Sequence, residues 1–208
     1  MELTWLGHSC FQLTSGEHVL IVDPYQPGSV PGLTPLTESA QEVLCTHGHA
    51  DHSARDAIGS LSAEGPSPFK VSSFASWHDE RHGRLRGANT IFQIRCGGLS
   101  IVHLGDLGCM PDSEVITALH RCDVLLIPVG GYYTIDGAQA ARLVRRLEPA
   151  LVIPMHYRMG AIGYEVLSTA EDFLSRLPSF RCMDVSSLTL PQKFSVGCLR
   201  LTPLHAAR

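Results

Sequence analysis

Several features that would place this 208-residue chain in a special class are missing from it. No apolar run approaches the roughly 18 residues needed to cross a bilayer. There is no low-complexity run, no repeat at a period of about 20 to 50 residues, and no N-terminal basic segment followed by an apolar one. These absences argue against a membrane-spanning, repetitive or secreted protein. The length favours one domain over residues 1–208.

Cysteine pairs are missing as well. The seven cysteines are odd in number, lie far apart and form no CxxC motif. This pattern argues against a disulfide scaffold and against a cysteine-based zinc site. The cysteines are interpreted as reduced residues of the core, and the expected compartment is the cytoplasm.

The chain also lacks an overall basic charge. Its net charge is −4 and its pI is near 6.2, so we expect no nucleic-acid partner. One local exception is the basic cluster formed by Arg81, His82, Arg84 and Arg86. It would contact a phosphate if its loop borders a cleft, and its ordinary interpretation is a solvated loop.

Apolar periodicity and turn residues predict the secondary structure. Strands are predicted at residues 2–6, 10–13, 19–22, 41–45, 71–74, 90–95, 99–102, 124–129, 151–153, 188–190 and 196–201. Helices are predicted over residues 53–61, over 137–147 with Asp136 as the cap, and over 169–177. Strands come first and then alternate with helices. The sequence therefore predicts an α/β fold in which two packed sheets lie between helices, a four-layer αββα sandwich.

Three of the eleven histidines lie within six residues, directly after the predicted strand 41–45. His47 and His49 alternate, so their imidazoles point to the same side, and Asp51 and His52 follow at the turn. Imidazole and carboxylate suit zinc, iron or manganese, and four ligands from one short loop cannot surround a single ion. The motif therefore predicts two adjacent metal ions. The alternative is a polar loop that is rich in histidine by chance.

The segment from Thr46 to His52, Thr-His-Gly-His-Ala-Asp-His, resembles the signature of the metallo-β-lactamase superfamily. Four other segments resemble motifs of the compact branch of this superfamily: residues 5–11, 76–79, 103–108 and 154–157. That branch contains predicted zinc-dependent hydrolases and is related to ascorbate-6-phosphate lactonase. The resemblance implies the αββα fold and seven metal ligands. For the first metal these are His47, His49 and His78; for the second Asp51, His52 and His156; and Asp106 bridges both.

Several assignments stay open at this point. His78 is preferred as the third ligand of the first metal, while His103 and His82 are alternatives. His8 lies in a turn and is either a structural residue or part of the site. Asp23 either holds a ligand imidazole or caps a turn.

The implied function is a metal-dependent hydrolase with two divalent ions, zinc being favoured over manganese or iron. Its substrate is expected to be an ester, lactone or phosphodiester of a small molecule, either anionic or neutral. The candidate catalytic residues are Asp106, Asp51 and His8, with hydroxyls of Tyr132, Tyr133 or Tyr157 as alternatives for stabilising charge. No G-x-S-x-G motif offers a serine nucleophile. The alternatives are an iron-dependent oxygenase on the same fold and a non-catalytic metal-binding protein. The sequence does not indicate the oligomeric state.

Overall fold

Most of the strands fall into two five-stranded sheets. The computed structural model describes residues 1–62, 64–191 and 197–207. Across the first sheet the order is β13 (Ser187–Thr189), β1 (Glu2–Gly7), β2 (Cys10–Ser15), β3 (His18–Val22) and β5 (Glu42–Leu44). Across the second it is β11 (Leu151–Met155), β10 (Val124–Pro128), β9 (Leu99–His103), β8 (Ala88–Cys96) and β7 (Lys70–Trp77). Two short pairs lie beside them: β4 (Ser39–Ala40) with β6 (Gly59–Ser60), and β12 (Arg181–Cys182) with β14 (Leu199–Arg200).

The direction of the strands determines where the loops meet. In the first sheet β2 is antiparallel to both β1 and β3, and β5 is parallel to β3, so β1, β3 and β5 run the same way. In the second sheet β8 is antiparallel to both β7 and β9, and β9, β10 and β11 are parallel. The carboxyl ends of β7, β9, β10 and β11 therefore share one edge. Each sheet thus gathers the loops that follow its parallel strands at one end.

The main hydrophobic core lies between the sheets and extends under the helices. It includes Leu13 and Leu20 of the first sheet, Ile94 and Leu125 of the second, and Leu143 of a helix. Strands β10 and β11 are buried along their whole length, as expected for apolar strands covered on both faces. The helices are α1 (Ser113–Leu119), α2 (Gly137–Leu147) and α3 (Ala170–Leu174).

The prediction for helix α2 is confirmed at both ends. The Asp136 side chain accepts a hydrogen bond from the backbone N–H of Gln139 at 2.7 Å, and the Gln139 side chain accepts one from the Asp136 N–H at 3.0 Å. This reciprocal pair satisfies donors that a helix start leaves free. The helix predicted over 169–177 is present in a shorter form, and α1 was not predicted.

The helix predicted over residues 53–61 is wrong. Only Arg55–Ala57 forms a 3-10 turn. The backbone donors of this segment bond instead to β4 and the residue before it: Gly59 N–H donates to Glu38 O at 2.9 Å and Leu61 N–H to Ala40 O at 3.0 Å. A second hydrophobic cluster then covers the outer face of the first sheet with loop residues rather than an α-helix, including Val30, Leu33 and Leu36. Tertiary pairing has overridden the local helix preference.

Two further sequence predictions concern the chain end and the cysteines. Val196, the start of the predicted strand 196–201, lies outside the described residues, and β14 covers Leu199–Arg200. All seven cysteines are free, and Cys10, Cys96, Cys122 and Cys198 are buried. Within the described ranges, no helix has the length and apolarity required to cross a membrane.

Candidate metal centre

Every residue of the candidate centre follows one of the strands that run in the same direction within its sheet. His8 comes after β1, Asp23 after β3, and the loop from Thr46 to His52 after β5. From the second sheet, His78 follows β7, Asp106 follows β9 and His156 follows β11. The two edges face each other, so side chains more than 100 residues apart in sequence meet, such as His8 and His156.

The carboxylate of Asp106 lies at the middle of this cluster. Its Oδ2 atom is 3.2 Å from His78 Nε2 and 3.1 Å from His156 Nε2, and its Oδ1 atom is 3.2 Å from His52 Nε2. His47 Nε2 is 4.0 Å from Oδ2. The single carboxylate of Asp106 thus lies close to four imidazoles.

The surrounding donors form two groups on either side of Asp106. In each group, the potential ligand atoms lie within 4.8 Å of one another. The first group consists of His47, His49 and His78, and the second of His8, Asp51, His52 and His156. The structure therefore brings together all seven residues named from the sequence as ligands, and it adds His8 to the second group.

Outer hydrogen bonds fix the direction of three imidazoles. The buried carboxylate of Asp23 accepts from His52 Nδ1 at 2.9 Å and from Thr46 Oγ1 at 2.7 Å. Because the Thr46 hydroxyl donates to Asp23, it accepts from His47 Nδ1, at 3.0 Å. His78 Nδ1 donates to the carbonyl of Tyr133 at 3.1 Å. In each case Nδ1 is the donor and Nε2 points toward Asp106, so an imidazole that gives up its Nε2 proton is in the tautomer that binds a metal.

The inward atoms are buried but lack protein partners. Within the described residues, His47 Nε2, His52 Nε2 and Asp106 Oδ1 make no hydrogen bond. An unpaired buried polar atom is costly, and native proteins rarely leave several of them in one place. The donor set therefore fits divalent ions between these atoms.

Electrostatics in the cluster favour the deprotonated, ligand-competent carboxylates. Burial alone raises the pKa of Asp106, but the charges of His156 and His52 outweigh it and hold that pKa well below its usual range. Burial alone lowers the pKa of His52, but the carboxylates Asp106 and Asp23 outweigh it and raise the pKa well above normal. The position between these carboxylates thus attracts a cation, whether a proton or a metal ion.

His8 occupies a buried position beside the second group. Its Nε2 atom is 3.3 Å from Asp51 Oδ2, and its ring centroid is 4.1 Å from that of His156. Burial, assisted by His156, lowers the pKa of His8 to about 4. A neutral imidazole is therefore favoured at this position.

Three residues of the centre have an unusual backbone conformation. His8 and Asp23 have φ of 53° and His156 has φ of 52°. This left-handed region is sparsely populated by residues other than glycine. Each of the three directly follows a strand, so the turn aims its side chain back across the end of the sheet.

The alternative histidines lie elsewhere. Both ring nitrogens of His103 are engaged, because Nε2 donates to Ser9 O at 2.9 Å and Nδ1 accepts from Gly105 N–H at 3.1 Å. His82 is exposed and stacks on Trp77 with ring centroids 6.0 Å apart. Neither residue lies with His47 and His49, whereas His78 does.

A cavity of about 270 Å³ opens onto the centre. Its lining residues are His49, Asp51, His78, Arg86, Asp106, Tyr133, His156 and Tyr164. Of the tyrosines considered from the sequence, only Tyr133 lines it, because Tyr157 is buried in the core and Tyr132 is exposed. The basic cluster contributes Arg86 to the wall.

Tyr164 also lines the cavity, although it is not among the residues predicted from the sequence. Its hydroxyl is 2.8 Å from Ser29 O and 3.2 Å from Asp51 Oδ2. Burial and the neighbouring Asp51 raise the pKa of Tyr164, so the hydroxyl keeps its proton. No motif surrounds this residue in the sequence, so only the fold reveals its place in the site.

Comparisons with known proteins show the family of this chain. The family model described as the beta-lactamase superfamily domain matches residues 2–156. The chain belongs to the metallo-β-lactamase superfamily. It is 34% identical over 188 residues to a metal-dependent hydrolase from Methanoregula boonei, covering 76% of this chain and 82% of the relative. A metal-dependent hydrolase from Methanoculleus marisnigri is 32% identical over 188 residues, with coverage of 76% and 81%.

A solved structure shows the same fold. A candidate Zn-dependent hydrolase of the metallo-β-lactamase superfamily from Thermotoga maritima aligns with a TM-score of 0.74 and 25% identity, covering 97% of this chain and 99% of that one. Within the superfamily, the present chain thus falls among the metal-dependent hydrolases. The expected αββα fold is confirmed, with the helical layer on the first sheet reduced to the 3-10 turn and loops.

Proposed function

We propose that the chain holds two divalent metal ions and uses them to hydrolyse an ester, lactone or phosphodiester of a small molecule. The observation that carries this proposal is the position of Asp106, whose Oδ2 atom contacts His78 of one donor group and His156 of the other. A carboxylate between two imidazole-rich groups is the arrangement of a bridging ligand. A single ion would leave one of the two donor groups without a partner.

The proposed ligands divide as the two groups do. His47, His49 and His78 would hold the first ion, Asp51, His52 and His156 the second, and Asp106 both. Imidazole and carboxylate donors without a thiolate favour zinc, and they also accept manganese or iron.

The chain's own residues would position the reaction. Two such ions, when bound, lower the pKa of a bound water toward neutrality and polarise the group under attack. Asp106 would orient that water, and His8 would hold Asp51 in place from 3.3 Å. Tyr133 and Tyr164 line the cavity and would contact the substrate there.

Further parts of the proposal concern partners and location. The cavity of about 270 Å³ supports a small-molecule substrate, and the net charge of −4 gives no support for a nucleic acid. Residues of both sheets share one hydrophobic cluster, which supports a single domain over residues 1–208. The seven free cysteines support a cytoplasmic location.

Metal analysis combined with a substrate screen tests the function. The protein would be reconstituted separately with zinc, manganese and iron, and each sample screened against lactones, phosphodiesters and thioesters. We expect two ions per chain, hydrolysis of at least one class, and loss of that activity with a chelator. A folded protein that takes up no metal would contradict the proposal. An iron-loaded protein with a redox spectrum and no hydrolysis would favour the oxygenase alternative. The sequence disfavours that alternative, because the diiron oxidoreductases of this fold resemble one another in an H-x-E-x-D motif, whereas this chain has His49 in place of the glutamate.

Tyr164→Phe provides a test of the second ion alone. Loss of the hydroxyl removes the donor near Asp51, and removal of such an outer partner typically costs about 10- to 100-fold in metal affinity. We expect about 10-fold, because the single hydroxyl hydrogen is shared with Ser29 O. A competition titration with a metal-binding indicator would measure both sites. The control is Tyr132→Phe, whose side chain is exposed; equal weakening of both ions in Tyr164→Phe would argue against this role.

A further inference from the structure

Arg86 presents a positive charge to the cavity of the proposed metal centre. It lines that cavity together with His78 and Tyr133. Its Cζ atom lies over the Tyr133 ring, 5.5 Å from the centroid. Among the described residues, no carboxylate forms an ion pair with Arg86, and its guanidinium donors bond to no protein acceptor. A half-buried guanidinium without a protein partner is available to a ligand.

The loop that carries Arg86 is fixed from within. Asp79, which is 3% exposed, follows His78 directly and accepts four backbone hydrogen bonds. These come from the N–H groups of Arg81 (2.8 Å), Gly83 (3.1 Å), Leu85 (3.0 Å) and Arg86 (2.8 Å). These four hydrogen bonds to one carboxylate hold the loop closed around Asp79.

The surface under the guanidinium is fixed as well. The Tyr133 carbonyl accepts from His78 Nδ1 at 3.1 Å, and Tyr133 N–H donates to Gly131 O at 2.7 Å. Both Arg86 and the ring beneath it are therefore tied to His78. The backbone of Arg86 is thus held at a set place relative to the proposed ions, with the guanidinium over the Tyr133 ring, and this order lowers the entropic cost of binding a substrate.

We propose that Arg86 binds a carboxylate of the substrate. This inference rests on the proposed function and narrows its substrate class to a small ester or lactone that carries a free carboxylate away from the bond that is cleaved. Among the cavity-lining residues Arg86 is the one arginine, and a single guanidinium matches one carboxylate in charge and in bidentate geometry. Hydrolysis adds water across the ester bond to give an acid and an alcohol, and Arg86 takes no part in that step.

Hydroxamic acids with matched tails test this assignment without any turnover. The hydroxamate would anchor on the metal ions, and the tail would end in a carboxylate, a phosphonate or a methyl group, each at three chain lengths. Isothermal titration calorimetry on the zinc-loaded protein would give the affinities. At the best length we expect the carboxylate tail to bind about 10- to 100-fold more tightly than the methyl tail, as for a charge-assisted hydrogen bond.

Three variants test whether Arg86 causes the preference for the carboxylate tail. Arg86→Met keeps an apolar stem over Tyr133 but removes the charge, so the preference should fall to within about twofold. Arg86→Lys keeps the charge but lacks the planar guanidinium that binds a carboxylate through two hydrogen bonds, so it should give an intermediate preference. The control is Arg84→Met, an exposed residue of the same loop, which should retain the full preference.

The outcomes separate this inference from the proposed function. If the zinc-loaded protein binds no hydroxamate, the metal centre itself is wrong and the carboxylate assignment falls with it. If all hydroxamates bind with equal affinity, or if the preference persists in Arg86→Met, only the role of Arg86 is overturned. A phosphonate tail that binds more tightly than the carboxylate would overturn the choice of carboxylate.

Discussion

We expect the Asp106→Ala variant to lose both metal ions. Its hydrolysis rate should fall by more than about 100-fold, because removal of a residue that only hydrogen-bonds to a metal ligand already costs up to about 100-fold. The reason is geometric. Asp106 Oδ2 lies 3.2 Å from His78 Nε2 and 3.1 Å from His156 Nε2, while Oδ1 lies 3.2 Å from His52 Nε2. Without the carboxylate, buried imidazoles of both groups face each other with no negative charge between them. Mass spectrometry of dialysed protein would measure the ions.

Two controls make this result specific. Asp106→Asn keeps the shape and removes the charge, so it should also lose metal. Asp56→Ala removes an exposed carboxylate of the 3-10 turn and should keep both ions and the full rate. If Asp106→Ala retained two ions per chain, Asp106 would not be a bridging ligand.

The second large effect is expected at His78. His78→Ala should lose one ion and most of the activity, because His78 supplies the donor that the second sheet contributes to the first group. Metal stoichiometry and hydrolysis rate would be measured on the same samples. The ion held by Asp51, His52 and His156 should remain, so the expected stoichiometry is one ion per chain.

Two other histidines provide the comparison. His82→Ala should change neither property, because His82 is exposed and stacks on Trp77. His103→Ala should cost about 10- to 100-fold, since His103 binds Ser9 next to His8 and Gly105 next to Asp106. Complete loss of one ion in His103→Ala, with none lost in His78→Ala, would reverse the assignment.

Much of the centre could be predicted because its residues carry local signals. His47, His49, Asp51 and His52 form a spacing that few other structures require, and His78, Asp106 and His156 each come shortly after a strand. The sequence indicates the strands before Asp106 and His156 by their apolar runs, which are largely buried. Resemblance supplied the order of the ligands, and the fold explains it through the common direction of the strands.

The remaining features depend on contacts that are distant in sequence. The pKa of His8 is set by burial and by His156, and Tyr164 reaches Asp51 only through the fold. The helix predicted over residues 53–61 fails for the same reason, because Gly59 and Leu61 bond to residues 38 and 40 instead of within their own segment. Arg86 belonged to a cluster whose arginines the sequence did not distinguish, and the fold places Arg86 in the cavity wall.

The left-handed turns at His8, Asp23 and His156 have a consequence for how such a chain changes over generations. A residue with a Cβ in this conformation costs on the order of 1 kcal/mol or more, whereas glycine adopts it freely. At these three places the fold alone would therefore favour glycine, and chemistry alone would favour histidine or aspartate. In a descendant whose activity was no longer under selection, these turns would be free to drift toward glycine, so the residues found there report on whether a homologue still uses its site.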